Sequence, residues 1–262
     1  MTNQFFKTLI TLLLIMGLVS CRSSKNGVVR DHVSKHFYPM PSFTKKLEKE
    51  WVIILPGYSG LKVFKDTAHY FRVAQDLNSA GFDVMIVEYK KASRKGGQRL
   101  KLGFAKRVRW ATEKAIEWGK TEGHINSNTK GHIAGWSAGG EGVILLMNDT
   151  AAIHKHHISS VALFYPSNRD STQLNSNIPI LVQTGELDNV TPQKNISNTY
   201  GNKSNVDYIV YPNAHHGFDV KSIVDKKHLR LPPIVGKKLI FQYNKSAADK
   251  SREKLIDFFL TR

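Results

Sequence analysis

The sequence predicts an α/β domain, a doubly wound and mostly parallel sheet with helices on both faces. Three observations carry that prediction. From residue 51 onward, short apolar runs alternate with amphipathic stretches, which is the rhythm of βαβ units. The first run stops at a turn pair, Pro56-Gly57, and a later one at Gly135. The length also fits: 262 residues, less an N-terminal segment, suit one such domain, and no repeat, low-complexity tract or linker marks a second. Apolar residues at 41% and charged residues at 23% leave room for a core of normal size, with no metal or disulfide staple required.

The N-terminal segment is read first. Lys7 precedes an apolar run from Leu9 to Val19, followed by Ser20 and Cys21. That run is too short to span a bilayer as a helix, which needs about 20 residues. It suits the apolar region of a secretory signal peptide. Leu18-Val19-Ser20-Cys21 resembles a bacterial lipobox, in which residues 1–20 are removed and Cys21 receives a diacylglycerol anchor. Cys21 is the sole cysteine of the chain, and an unmodified lone thiol suits an exported protein poorly. The expected location is outside the cytoplasm, lipid-anchored to a bacterial membrane, facing the periplasm or the cell surface. Residues 21–45 are polar and basic and read as a tether with a lead-in strand, leaving 46–262 as the folded domain.

Within that domain, Trp51 to Leu55 is a buried strand. Phe71, Ala74 and Leu77 fall at helical spacing, with Gly81 where a helix C-cap belongs. Val84 to Val87 is the next strand, and Phe104, Val108, Ala111, Ala115 and Trp118 mark one face of a long helix. His132-Ile133-Ala134 is a brief strand, and Gly140 to Leu146 turns helical. Ser160 to Phe164, Ile178 to Gln183 and Val206 to Tyr211 complete the strands, and a last helix covers about Ala248 to Leu260. Val220 to Lys238, with Pro232-Pro233, reads as a loop near the base of the candidate site.

Lysine and arginine number 38 against 21 acidic residues, a formal charge of +17. Such an excess favours anionic surfaces such as lipid headgroups or acidic glycans. The bases are scattered singly and in pairs, as at Lys90-Lys91 and Lys237-Lys238, with no nucleic-acid motif, so no nucleic-acid partner is expected. No Gly-rich phosphate loop is present and no cofactor is implied. His154, His156 and His157 lack cysteines or carboxylates at ligand spacing, and read as a solvated loop rather than a metal site.

The chemistry is concentrated in three places. Gly135-Trp136-Ser137-Ala138-Gly139 is a G-x-S-x-G sequence between a strand and a helix, the setting of a nucleophile elbow. The sharp turn needs glycines and raises the Ser137 hydroxyl above the sheet, at a helix N-terminus. A serine hydroxyl is a weak nucleophile, so it needs a base, and the base needs an orienting carboxylate. In α/β-hydrolases these follow in the order Ser, acid, His, each after a later strand. Gly185-Glu186-Leu187-Asp188 follows one strand and holds two carboxylates; Asn213-Ala214-His215-His216-Gly217-Phe218 follows the next and holds two histidines. Spacing alone leaves both choices open. An oxyanion hole would draw on the backbone N–H of Ala138 and on one from the Gly57-Tyr58-Ser59-Gly60 loop, with Tyr58 first. Trp136 and Tyr58 either line a substrate pocket or pack against the sheet.

These segments resemble the dienelactone hydrolase family of α/β-hydrolases from about Trp51 to the C-terminus. Ile54-Leu55-Pro56-Gly57-Tyr58-Ser59-Gly60, the Ser137 pentapeptide, the Gly185–Asp188 loop and Tyr211-Pro212-Asn213-Ala214-His215-His216-Gly217-Phe218-Asp219 carry the likeness. The resemblance implies His216 as base, since the family's histidine precedes Gly-Phe, and Asp188 as acid. Glu186 and His215 are then left as pocket or loop residues. The family's namesake lactonases have a cysteine nucleophile and an acidic residue in the first loop. Here Ser137 and Gly57 stand there, which favours a serine esterase acting on an ester or lactone over a dienelactone enzyme. A prolyl-oligopeptidase-like peptidase and a non-catalytic binding lipoprotein on the same fold are the rival readings.

Overall fold

A computed structural model describes residues 32–41, 49–168, 172–225, 227–230 and 238–262. The compact unit begins at His32, ahead of the expected boundary at 46. The reason is a short edge strand, Phe37–Pro39 (β1), within the segment read as tether and lead-in. Cys21 and the expected signal peptide lie outside the described residues.

The chain then runs through β2 (Trp51–Leu55), α1 (His69–Ser79), β3 (Asp83–Val87), α2 (Tyr89–Ala92) and a small hairpin, β4 (Arg94–Lys95) with β5 (Gln98–Arg99). Next come α3 (Phe104–Thr121), β6 (Gly131–Trp136), α4 (Glu141–Met147), α5 (Thr150–His156) and β7 (Ile158–Phe164). The rest is β8 (Ile180–Gly185), α6 (Gln193–Tyr200), β9 (Val206–Tyr211), a hairpin of β10 (Lys227–Arg230) and β11 (Lys238–Phe241), and α7 (Lys245–Leu260). Among the described residues no helix is long and apolar enough to cross a membrane.

The main sheet has the order β1-β3-β2-β6-β7-β8-β9. Every pairing is parallel except that of β1, which runs antiparallel along β3. This is the doubly wound architecture the alternating pattern predicts. All five residues of β2 are buried because helices cover both faces. Trp51, Ile53 and Leu55 pack with Val108 and Ala111 of α3 and Val143 of α4. Val52 and Ile54 point the other way, with Val73 and Leu77 of α1 and Leu255 and Phe259 of α7. The chain goes from β2 to β3 on one side and returns to β6 on the other. Loops leaving the carboxyl ends of β2 and β6 therefore part at the switch in strand order and open a crevice there.

The histidine cluster departs from its reading as a solvated loop. Asp149 caps α5 by accepting from the Ala152 N–H at 3.0 Å, and His154 and His156 lie in its last turn. His156 is buried, and burial, helped by Lys155 and Lys120, pushes its pKa down to about 4. Helix α5 is one short, polar segment, so its sequence carries little periodicity to read. Among the described residues no group of His, Cys, Asp or Glu is placed to hold a metal ion.

Candidate active site

Ser137 sits at the turn out of β6 with φ +47°, a left-handed conformation that L-residues rarely hold. The turn is forced by close packing. A Cβ on Gly139 would stand 2.4 Å from the Leu55 carbonyl oxygen, so only glycine lets the elbow lie against the end of β2. The strained turn thereby points Ser137 into the crevice.

The loops of the candidate acid and base come from β8 and β9, which pair in parallel, and they are stitched together backbone to backbone. A Cβ on Gly185 would lie 2.2 Å from the Ala214 carbonyl oxygen. The Leu187 N–H donates to that same oxygen at 2.9 Å, and the Glu186 N–H donates to Tyr211 O at 2.9 Å. The result brings three separated residues together. His216 Nε2 is 3.1 Å from Ser137 Oγ, and His216 Nδ1 is 2.7 Å from Asp188 Oδ2. Asp188 is in turn oriented through Oδ1, which accepts from the Val190 and Thr191 N–H groups at 2.8 and 2.9 Å. The Thr191 hydroxyl lies 2.9 Å from Asp188 Oδ2 and 3.1 Å from the Tyr165 carbonyl oxygen. The Tyr165 ring packs against His216 at a centroid separation of 4.3 Å.

Two residues named as pocket residues lie elsewhere. Glu186 accepts from the Asn213 N–H at 2.9 Å, and His215 Nδ1 is 3.0 Å from the Leu187 carbonyl oxygen. Both side chains tie the acid loop to the base loop, and neither lines the cavity beside Ser137. Consecutive residues project in different directions, so placing His216 over the crevice sends His215 toward the Leu187 backbone.

That cavity has a volume of about 500 Å³ and contains Ser137 and His216 in its wall. Val63, Phe64, Val220, Ile223, Leu239 and Phe241 make most of it apolar. The last four come from residues 220–241, so the expected loop beside His216 is partly a hairpin and supplies one wall. Trp136 and Tyr58 both border the cavity, yet differ. Trp136 is almost wholly buried and stacks on Phe164 at 4.4 Å, whereas Tyr58 is 55% exposed at the rim. The loop after β2 reaches Ser137: a Cβ on Gly57 would be 3.6 Å from Ser137 Cβ. The Gly57 N–H is committed to Tyr70 Oη at 2.8 Å.

Under the cavity floor lies a buried carboxylate, Asp219. It accepts from Trp136 Nε1 at 2.7 Å and from Tyr165 Oη at 2.6 Å. His69 Nε2 is 3.4 Å away, at ion-pair range but not aligned as a hydrogen bond. Burial alone would raise the Asp219 pKa; His69 and the two hydrogen bonds outweigh it and hold the carboxyl at about 2. Tyr165, Thr191, Tyr70 and Asp219's role had no distinct signal in the sequence, since each acts through a contact across the fold.

The dienelactone hydrolase family profile matches residues 42–262. The chain belongs to the dienelactone hydrolase family. As a family member it is a hydrolase of the ester-cleaving type. No curated protein sequence matches this hydrolase. Among solved structures it is similar to Est1E from Butyrivibrio proteoclasticus, with a TM-score of 0.55 and 14% identity over 84% of this chain and 93% of that one. It is also similar to a predicted CIB-like hydrolase from Thermoplasma acidophilum, at 0.55 and 15% over 86% and 92%. Esterase 2 from Thermogutta terrifontis, solved phosphorylated by paraoxon, aligns at 0.52 and 17% over 86% of each chain. At such identities the three structures speak for the α/β-hydrolase fold of this family member and for nothing finer.

Proposed function

We propose that this protein cleaves a carboxylic ester or lactone by a Ser137–His216–Asp188 triad through an acyl-enzyme. The observation that carries the reading is the pair of His216 contacts, 3.1 Å to Ser137 Oγ and 2.7 Å to Asp188 Oδ2, at the wall of an apolar cavity. With its proton on Nδ1, facing Asp188, the imidazole leaves Nε2 free to accept the Ser137 proton as Oγ attacks the carbonyl carbon. The Tyr58 and Ala138 N–H groups take the oxyanion. As the tetrahedral adduct collapses, His216 returns the proton to the leaving oxygen. Water then attacks the acyl-enzyme with His216 again as base, releasing the acid and restoring Ser137. Asp188 holds the imidazole orientation and stabilises the imidazolium formed in each step.

The experiment is fluorophosphonate labelling of the purified protein, read by peptide mass spectrometry, beside hydrolysis of a short-chain ester. The expected adduct is on Ser137 and is lost in His216→Ala, and Ser137→Ala lowers kcat by roughly 10³-fold or more. A folded protein that takes no adduct, or a Ser137→Ala variant with full activity, would overturn the assignment. The proposal extends to location: the chain is exported and anchored through Cys21, supported by the apolar run before this sole cysteine.

A further inference from the structure

The turn that follows β2 leaves one backbone donor free beside Ser137 and commits the groups around it. The Gly57 N–H donates to Tyr70 Oη at 2.8 Å. The Gly60 N–H donates to the Gly57 carbonyl oxygen at 3.0 Å and closes a tight turn, with Gly60 at φ +75°. Lys90 Nζ donates to the Tyr58 carbonyl oxygen at 2.7 Å. The Tyr58 N–H, between these anchors, has no acceptor among the described residues. Its own peptide is fixed through the Gly57 oxygen, and the peptides on either side through the Gly57 N–H and the Tyr58 oxygen.

Tyr70 is the buried member of this set. It lies in the first turn of α1 and is only 3% exposed, whereas Lys90 lies 3.8 Å over the ring of the exposed Tyr58. Burial raises the pKa of the Tyr70 hydroxyl, so the group stays neutral and keeps a lone pair for the Gly57 N–H. The Tyr70 ring also meets Trp136 edge-on at 5.5 Å, and Trp136 precedes Ser137. A Cβ on Gly57 would stand 3.4 Å from Tyr70 Oη and 3.6 Å from Ser137 Cβ. Gly57 therefore sits between the tyrosine hydroxyl and the elbow. One side chain joins the two segments, the loop after β2 and the elbow, whose N–H groups are assigned to the oxyanion.

We propose that Tyr70 is a positioning residue for the oxyanion: its hydroxyl, with Lys90 as the outer anchor, holds the Tyr58 N–H toward Ser137. The proposal rests on the acyl-enzyme reading above. A donor is effective there only if it is already aimed before charge develops, and a loop with glycine at both ends does not aim itself. Charge develops as Ser137 Oγ adds to the carbonyl, so Tyr70 contributes to kcat and not to substrate binding.

The test is Tyr70→Phe, which keeps the ring and removes the hydroxyl, assayed on para-nitrophenyl octanoate at a temperature where circular dichroism shows it folded. The expected fall in kcat is about tenfold, with KM within about twofold; loss of a whole oxyanion donor costs roughly 10²–10³. Octyl trifluoromethyl ketone gives a second reading. Ser137 Oγ adds to its carbonyl carbon, the serine proton passes to His216, and the ketone oxygen becomes an anion in the same hole. Its inhibition constant is expected to rise about tenfold, while that of methyl octyl ketone, which forms no adduct, stays put. The shape of the kcat/KM pH profile stays that of wild type, because His216 and Asp188 are untouched. A merely structural role would change the amount of folded protein and none of these constants. Lys90→Met carries the same signature at about threefold, and decides the matter if Tyr70→Phe does not fold. Unchanged kcat and ketone inhibition in the folded variant overturn the inference, as does a loss that falls on KM or moves the pH profile. A wild-type protein that takes neither fluorophosphonate nor the fluorinated ketone overturns the hydrolase reading and this inference with it. A wild type that takes both, beside an unaffected Tyr70→Phe, overturns this inference alone.

Discussion

Asp219 shows how much one side chain does beneath the candidate site without touching a substrate. It holds Trp136, the neighbour of Ser137, and Tyr165, the ring against which His216 packs. Its folded pKa of about 2 lies below the ordinary value of 3.8. The stability it contributes is therefore complete above pH 3.8 and is lost as pH falls through about 2. A shift of this size corresponds to about 2 kcal/mol. Asp219→Asn is expected to lose about that much at neutral pH, with the gap to wild type closing as pH approaches 2, measured by urea unfolding. A gap of constant size across that range would show that Asp219 contributes by shape alone. At this scale Ser137 was legible because its pentapeptide needs a particular turn. The choice of His216 over His215 came from family likeness, since adjacent identical residues look alike until a backbone orients them.

The hairpin of β10 and β11 is the element that the sequence conceals. It lies within and just beyond the stretch from Val220 read as a loop, because its strands pair with each other across a connection and carry mixed polarity. Asn189, next to the candidate acid, clamps β11 at two points. Its Nδ2 donates to the Lys238 carbonyl oxygen at 2.8 Å, and its Oδ1 accepts from the Ile240 N–H at 2.9 Å. These bonds hold Leu239 and Phe241 in the cavity wall. Asn189→Ala is expected to raise KM for octanoate esters severalfold while leaving butyrate turnover nearly as before, at a stability cost of about 1–2 kcal/mol. Steady-state kinetics on the two chain lengths check it, and an equal loss on both would deny the hairpin a part in acyl selection. The strands of the main sheet were legible for the opposite reason. The central strands β2, β6 and β8 are buried throughout, so each is built largely of apolar residues.

For the whole molecule, the proposed lipid anchor rests on the N-terminal apolar run that ends at the sole cysteine. The anchor proposed at Cys21 predicts that the full chain, expressed in a bacterium, fractionates with membranes. Cys21→Ser should move it to the soluble fraction with its ester hydrolysis per mole retained. A Cys21→Ser protein that stays in the membrane pellet would show that another contact holds it there.

By itself the sequence determined the fold class and its parallel order of burial, and it marked the elbow serine and the two loops that hold the candidate acid and base. Those features are written in local pattern: apolar runs, turn residues and a short motif whose backbone demands are severe. Only the tertiary structure decided that Asp188 and His216 meet while Glu186 and His215 tie their loops together. It also decided that Asp219 lies beneath the cavity and bonds both Trp136 and Tyr165. These depend on packing between segments far apart in the chain, such as the Gly185–Ala214 contact, where direction rather than residue type determines what each side chain can reach.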